Sequence, residues 1–268
     1  MEITNKLYLL ILLSLAAFCA CKKHDPAPGS YNSPGNNILP TTKKLTRVGD
    51  STNNNQFQYD AGANLSQLNI VTDSNPSLYT ISYINGLPAK LQSQYFSMNL
   101  NYSAGHLIRT EITNNVTNNI ESMQLLTYTN DQVTEAVHYV KSVSSVQLIP
   151  QLKFDYEVAP GGDITKAFIY LWDAATNQFI YEGRNEYQYD THANPVYPLK
   201  NFFSFSDSFP ATPHNILTEN SYDASGTLIA VITYQYTYDG DGDPLKAKRI
   251  YQLPGRWQEV STITYSYQ

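Results

Sequence analysis

The chain is nearly without cysteine. Cys19 and Cys21 close an apolar N-terminal run, and residues 22–268 contain none. This excludes a disulfide framework and a thiolate metal site from the body, which has to be held by its own core. Charge is scarce too: Asp, Glu, Lys and Arg make up 15% of the chain, the formal net charge is -6, and no long basic run occurs. Such a chain lacks the electrostatic footprint of a nucleic-acid binder. No stretch keeps a convincing amphipathic helical period, which excludes an all-α fold. The longest apolar run, Leu7 to Phe18 with Ser14 inside it, falls short of the about 20 residues a membrane-spanning helix needs. There is no GxSxG elbow, no Walker loop and no dinucleotide fingerprint.

What is plentiful is tyrosine, with 22 residues. Asn, Thr and Ser accompany it, a strand-forming composition whose solubility is polar rather than ionic. Ile232, Tyr234, Tyr236 and Tyr238 alternate with Thr233, Gln235 and Thr237. Ile263, Tyr265 and Tyr267 alternate with Thr262, Thr264 and Ser266. Period two with one apolar face marks half-buried strands.

A phrase recurs: apolar-x-Tyr, a turn with Asp, Asn or Gly, then an aliphatic residue. It reads Phe57-Gln58-Tyr59-Asp60-Ala61-Gly62 to Leu65, Ile81-Ser82-Tyr83-Ile84-Asn85-Gly86-Leu87, and Leu100-Asn101-Tyr102-Ser103-Ala104-Gly105 to Leu107. It returns at Tyr128-Thr129-Asn130-Asp131, Phe154-Asp155-Tyr156, Tyr187-Gln188-Tyr189-Asp190, Tyr222-Asp223-Ala224-Ser225-Gly226 to Leu228, and Tyr236-Thr237-Tyr238-Asp239. Gly and Asn tolerate the positive φ of a tight return, and Asp caps it. The expected fold is all-β: an antiparallel meander of tandem hairpins, roughly 16 to 18 strands, in a curved or barrel-like sheet over residues 43–268. Strands that alternate Tyr with Thr, Ser and Gln present a polar face suited to water, so a membrane-spanning barrel is not expected.

The N-terminus gives an address. Lys6, the apolar run and the small residues after it fit a signal peptide over residues 1–20. Phe18-Cys19-Ala20-Cys21 resembles a bacterial lipobox, which implies that Cys21 carries the lipid and becomes the mature N-terminus. Residues 21–42, rich in Pro, Gly, Ser and Asn, read as a flexible tether with a reach of roughly 25 Å. The partner expected from this is a membrane, reached through lipid on Cys21, with the body in the cell envelope at the outer membrane. Whether it faces the periplasm or the surface stays open.

The phrases resemble the YD repeats of RHS-type proteins. More closely, the chain is similar to uncharacterised lipoproteins of Bacteroidetes-type bacteria, including a family of unknown function described as porin-like in fold. The run Tyr189-Asp190, Asn194-Pro195, Tyr197, Pro198-Leu199, Asn215-Ile216, Tyr222 and Tyr236-Thr237-Tyr238-Asp239 to Pro244-Leu245-Lys246 carries the likeness best. It implies a curved or closed antiparallel sheet and supplies no catalytic residues.

Candidate chemistry is thin. Asp239-Gly240-Asp241-Gly242-Asp243 has the alternation of a calcium loop, but Ile250 stands where the bidentate Glu belongs, and a hairpin turn explains it without metal. His24, His106, His138, His192 and His214 show no ligand spacing. Glu111, Glu121, Glu135, Glu182, Glu186 and Glu219 are candidates for a fold-assembled carboxylate pair. Asp50-Ser51-Thr52 resembles an O-glycosylation acceptor. The segment from Pro195 to Asn215 breaks the hairpin rhythm with Phe202, Phe203, Phe205 and Phe209. These four rings form either a contact loop for a glycan or partner or a plug packed over an open end of the sheet; the plug is favoured, because exposed Phe clusters are sticky. No cofactor, metal or catalytic residue is expected. The leading function is a non-enzymatic, lipid-anchored envelope scaffold binding a glycan or envelope protein, with a glycan hydrolase as the alternative.

Overall fold

A computed structural model describes residues 43–268 except 51, 74, 143–146, 204–211 and 257, and of Phe203 the backbone alone. Its strands are β1 (Leu45–Gly49), β2 (Asn54–Tyr59), β3 (Leu65–Thr72), β4 (Asn75–Ile84), β5 (Leu87–Gln92), β6 (Phe96–Ser103), β7 (His106–Asn114) and β8 (Asn119–Thr129). They continue with β9 (Gln132–Lys141), β10 (Leu148–Val158), β11 (Ile164–Asp173), β12 (Gln178–Ala193), β13 (His214–Asp223), β14 (Leu228–Tyr238), β15 (Pro244–Gln252) and β16 (Gln258–Tyr267). A 3-10 turn (Tyr197–Leu199) and one helical turn, α1 (Lys200–Phe203), lie between β12 and β13.

Each strand pairs antiparallel with the next, and β1 pairs with β16 through Leu45↔Tyr267 and Val48↔Tyr265. The sheet is therefore a closed 16-strand barrel with no free edge. The expected meander is present, and its curvature runs to full closure.

Closure gives the barrel two ends. The turns that follow even-numbered strands, together with Lys43 and Gln268, share one end, called here the tyrosine rim; the turns after odd-numbered strands share the far rim. The bulges repeat at the tyrosine rim, at Gln58/Tyr59, Ser82/Tyr83, Asn101/Tyr102, Thr127/Tyr128 and Thr237/Tyr238. A bulge adds twist where each strand ends, which helps a sheet curl on itself.

A round barrel of this strand number encloses a wide lumen, yet the inward side chains here are buried. On one side Leu45, Phe57, Leu65, Leu68, Leu91, Met98, Leu100 and Leu107 form an aliphatic core. On the other, Phe154, Tyr187, Tyr189, Ile216, Ile232, Tyr234 and Ile263 pack with Ala136, Ala167 and Ala247. Cross-strand pairing explains those alanines: Phe154 faces Ala136, Tyr156 faces Ala167, and Tyr236 faces Ala247. A small residue opposite each ring makes room for it. Val48 on β1, Leu126 on β8 and Tyr265 on β16 touch both cores, joining them at the two seams where the sides of the barrel adjoin.

The outer wall carries ion pairs: Lys141 with Glu121 at 2.9 Å, Lys153 with Asp155 at 2.8 Å, Arg184 with Glu186 at 2.7 Å, and Arg109 with Glu111. Lys153 also lies 4.4 Å from the centre of the Tyr170 ring, and Arg184 4.3 Å from that of Tyr222. Each cation on a lipid-facing barrel wall would cost about 2–4 kcal/mol at mid-bilayer. In water these pairs cost nothing of the kind.

Candidate functional site at the tyrosine rim

The recurrent phrase builds this rim. Tyr59 donates from its hydroxyl to the Leu45 carbonyl at 2.9 Å, and Tyr83 to Leu65 at 2.9 Å. Tyr189 donates to Ile164 at 2.6 Å and Tyr267 to Pro244 at 2.9 Å. In every case the last turn of an even strand is tied to the first residue of the odd strand before it. The ring covers the core while its hydroxyl satisfies a carbonyl at the strand's start. Burial of the ring, with Tyr83 adding to it, pushes the Tyr59 phenol up to about 12.

Asp completes the turns. Asp60 Oδ1 accepts the Asn64 amide at 2.9 Å, and Asp239 Oδ1 accepts those of Asp241 at 2.9 Å and Asp243 at 3.0 Å. Those bonds hold the Asp60 carboxyl below its ordinary value, the Asn64 amide first. The Tyr222–Gly226 phrase makes the same turn, with Asp223 accepting the Ser225 and Thr227 amides at 2.9 Å. It lies at the far rim, however, and the Tyr222 ring sits on the outer wall against Arg184.

The acidic turn from Asp239 to Asp243 gathers an ammonium. Lys43 Nζ lies 2.6 Å from Asp239, 2.5 Å from Asp241 and 3.6 Å from Asp243. Lys43 thereby fastens the start of the barrel wall to the β14–β15 turn. Among the described residues no His, Cys, Asp and Glu group is arranged to hold a metal ion.

Three histidines converge on this rim, each beside an aspartate. His106 Nε2 is 3.1 Å from Asp131, and His214 Nδ1 is 2.7 Å from Asp163, which also accepts the His214 amide at 3.1 Å. His192 stacks on Tyr238 with ring centres 3.9 Å apart, its Nδ1 3.7 Å from Asp190. Asp190 accepts the Tyr238 hydroxyl and the His192 amide, the latter at 2.9 Å. Burial raises the Asp190 carboxyl, and the Tyr238 bond opposes it. That carboxylate is occupied by structural donors and has a fastening role. His138 lies on β9 instead, 2.8 Å from Gln124. Local sequence pattern shows neither the His106–Asp131 nor the His214–Asp163 pair, because each joins turns set side by side by strand pairing; only His192 and Asp190 are near neighbours in the chain.

These contacts anchor the neck of the longest excursion, between β12 and β13. The Asn194 amide donates to Pro213 at 2.8 Å, and Asn194 Nδ2 to Thr212 at 3.0 Å. From there the 3-10 turn and α1 lead Leu199 and Phe202 into the aliphatic core, with Asn201 beside the Tyr102 hydroxyl. Phe202 is buried to 4% exposure. Phe205, Phe209 and the Phe203 side chain lie outside the described residues, as do Cys21, His24 and Ser51.

The other candidates separate. Glu111, Glu121 and Glu186 pair with bases on the outer wall, and Glu135 is 3.9 Å from Lys153. Glu219 turns inward beside Tyr187 and accepts Asn185 Nδ2 at 3.0 Å. Burial pushes its carboxyl up to about 7, against the pull of Arg249. Thr52, in the Asp50–Thr52 segment, donates its hydroxyl and amide to Asp50 at the far rim, at 3.0 and 2.7 Å.

No family model matches the chain, and no curated protein matches it. Solved structures do. A porin-like protein from Bacteroides vulgatus superposes with a TM-score of 0.58 at 11% identity, over 84% of this chain and 99% of that one. A porin-like protein from Bacteroides uniformis gives 0.54 at 10% identity, over 84% and 96%. At these identities the likeness is one of fold: an all-β closed barrel shared with porin-like neighbours.

Proposed function

We propose that this protein is a lipid-anchored envelope scaffold whose barrel stands in water, and that it works as a binding or structural protein rather than as a pore or a hydrolase. The observation that carries the reading is the combination of a filled interior with a charged outer wall. A transport barrel needs the reverse: a wet lumen and an apolar outer band. The hydrolase alternative needs two carboxylates flanking an accessible substrate. Here Glu219 turns inward and is bound by Asn185, Asp190 is held by Tyr238, and Glu111, Glu121, Glu135 and Glu186 pair with bases on a convex wall. The likeness to porin-like Bacteroides proteins supports an envelope setting.

In this reading the Cys21 lipid is the anchor that keeps the protein on the membrane, and the plug formed by Leu199 and Phe202 is part of the core. A Cys21→Ala chain, expressed beside the wild type, should move from the membrane pellet to the soluble fraction. Retention of the variant in the pellet would show that the barrel itself is embedded, and the proposal would fail.

A further inference from the structure

The two rims differ in what they expose. At the tyrosine rim the β4–β5 and β6–β7 turns, Asn85-Gly86 and Ala104-Gly105, carry no charge. Around them Ile84, Leu87 and Ile108 are exposed, Ile84 to 66%. They sit on neighbouring hairpins of one stretch of wall, β4 to β7. The far rim has its own patch, with Tyr95, Phe96 and Val116 on loops joined by the Asn115 amide, which donates to the Tyr95 carbonyl at 2.8 Å.

What separates the rims is where the rest of the chain attaches. Lys43 is fixed at the tyrosine rim by its three aspartates, so residues 1–42 leave from this end. The stretch from Cys21 to Lys43 spans at most about 75 Å, and ten-residue strands about 33 Å long, tilted as in a closed barrel, make a wall about 25 Å tall. An anchor attached at one rim holds that rim at a higher effective concentration near the membrane than the other.

We infer that the uncharged hairpin tips bearing Ile84, Leu87 and Ile108 rest in the headgroup region of the lipid bilayer, so that the barrel stands with its tyrosine rim down and presents Tyr95, Phe96 and Val116 outward. The inference rests on the Cys21 anchor proposed above. It adds an orientation that the anchor alone does not impose. Aliphatic side chains on neutral turns fit a bilayer interface through apolar burial, so the contact is insensitive to salt.

The test uses the full-length lipidated protein in vesicles of phosphatidylethanolamine and phosphatidylglycerol. Beyond Cys21 the chain has no thiol, so Ile84→Cys and Val116→Cys each give a single site for an environment-sensitive dye. The dye at 84 should be quenched several-fold more by spin-labelled lipid than the dye at 116. Ile108→Cys repeats the measurement should position 84 not tolerate the change. Equal or reversed quenching overturns the orientation. So does a dye at 84 shielded from aqueous iodide but untouched by the lipid quencher, which would give that patch to contact between copies of the protein. Protein that fails to float with the vesicles overturns the anchor itself, a result distinct from the others.

Discussion

The two sides of the barrel interior are built differently. Strands β1 to β7 line theirs with Leu, Met and Phe, and the space is completed by Leu199 and Phe202 from the excursion after β12. Strands β9 to β16 fill their own with tyrosine rings set opposite alanines, and bring polar groups inside with them: Glu219, Asn185, Arg249 and the Tyr187 and Tyr234 hydroxyls. The difference teaches how a wide sheet closes on a filled interior. Aliphatic side chains are too short to span it, so one side borrows a plug from distant sequence. Tyrosines reach further, but each brings a hydroxyl that needs a partner.

The comparison can be broken at the plug. Phe202→Ala should cost about 3–5 kcal/mol, the range for a buried Phe, and denaturant unfolding would measure it. A loss near zero would mean that the aliphatic side is complete without the borrowed ring.

On the tyrosine side the buried Glu219 carboxyl is the sensitive point. Its ordinary value of 4.5 rises to about 7 on folding, chiefly through burial, with Arg249 opposing. A raised folded value means the native state holds a proton that the unfolded chain has released. Its stabilisation is complete below pH 4.5 and fades as the pH climbs to 7. The span corresponds to about 3 kcal/mol. Glu219→Gln should flatten this part of the profile and be the more stable protein at pH 8; thermal melts from pH 5 to 8 follow both effects.

The ring-against-alanine pairing has a gentler test. Ala247→Leu places a branched side chain opposite Tyr236 and should cost about 1–3 kcal/mol by overpacking. The smallest effect belongs to the rim ties. Tyr189→Phe removes the hydroxyl that serves the Ile164 carbonyl and should lose about 1 kcal/mol, with the fold intact.

Much of the architecture was legible beforehand because strand signals are local. The alternation through Ile232–Tyr238 placed its tyrosines inside, and the phrase at Phe57–Gly62 marked a turn now seen closed by Asp60. Closure was less legible, since Leu45↔Tyr267 joins opposite ends of the body and no local pattern encodes that register. The same limit hid the rim. Lys43 meets Asp239 across nearly the whole body, and His214 meets Asp163 across a hairpin and the excursion. Phe202 stood out because four Phe in a Pro-rich break of the rhythm are unusual, but only the packed core reveals which side it fills.

The central claim is that the barrel stands in water with its wall exposed. The most direct test is Gln235→Cys at mid-strand on the outer face of β14, across from Lys248, in the lipidated protein on vesicles. A membrane-impermeant maleimide should label it as fast as it does in detergent. Protection that lifts only when the vesicles are dissolved would place the wall in lipid and contradict the account.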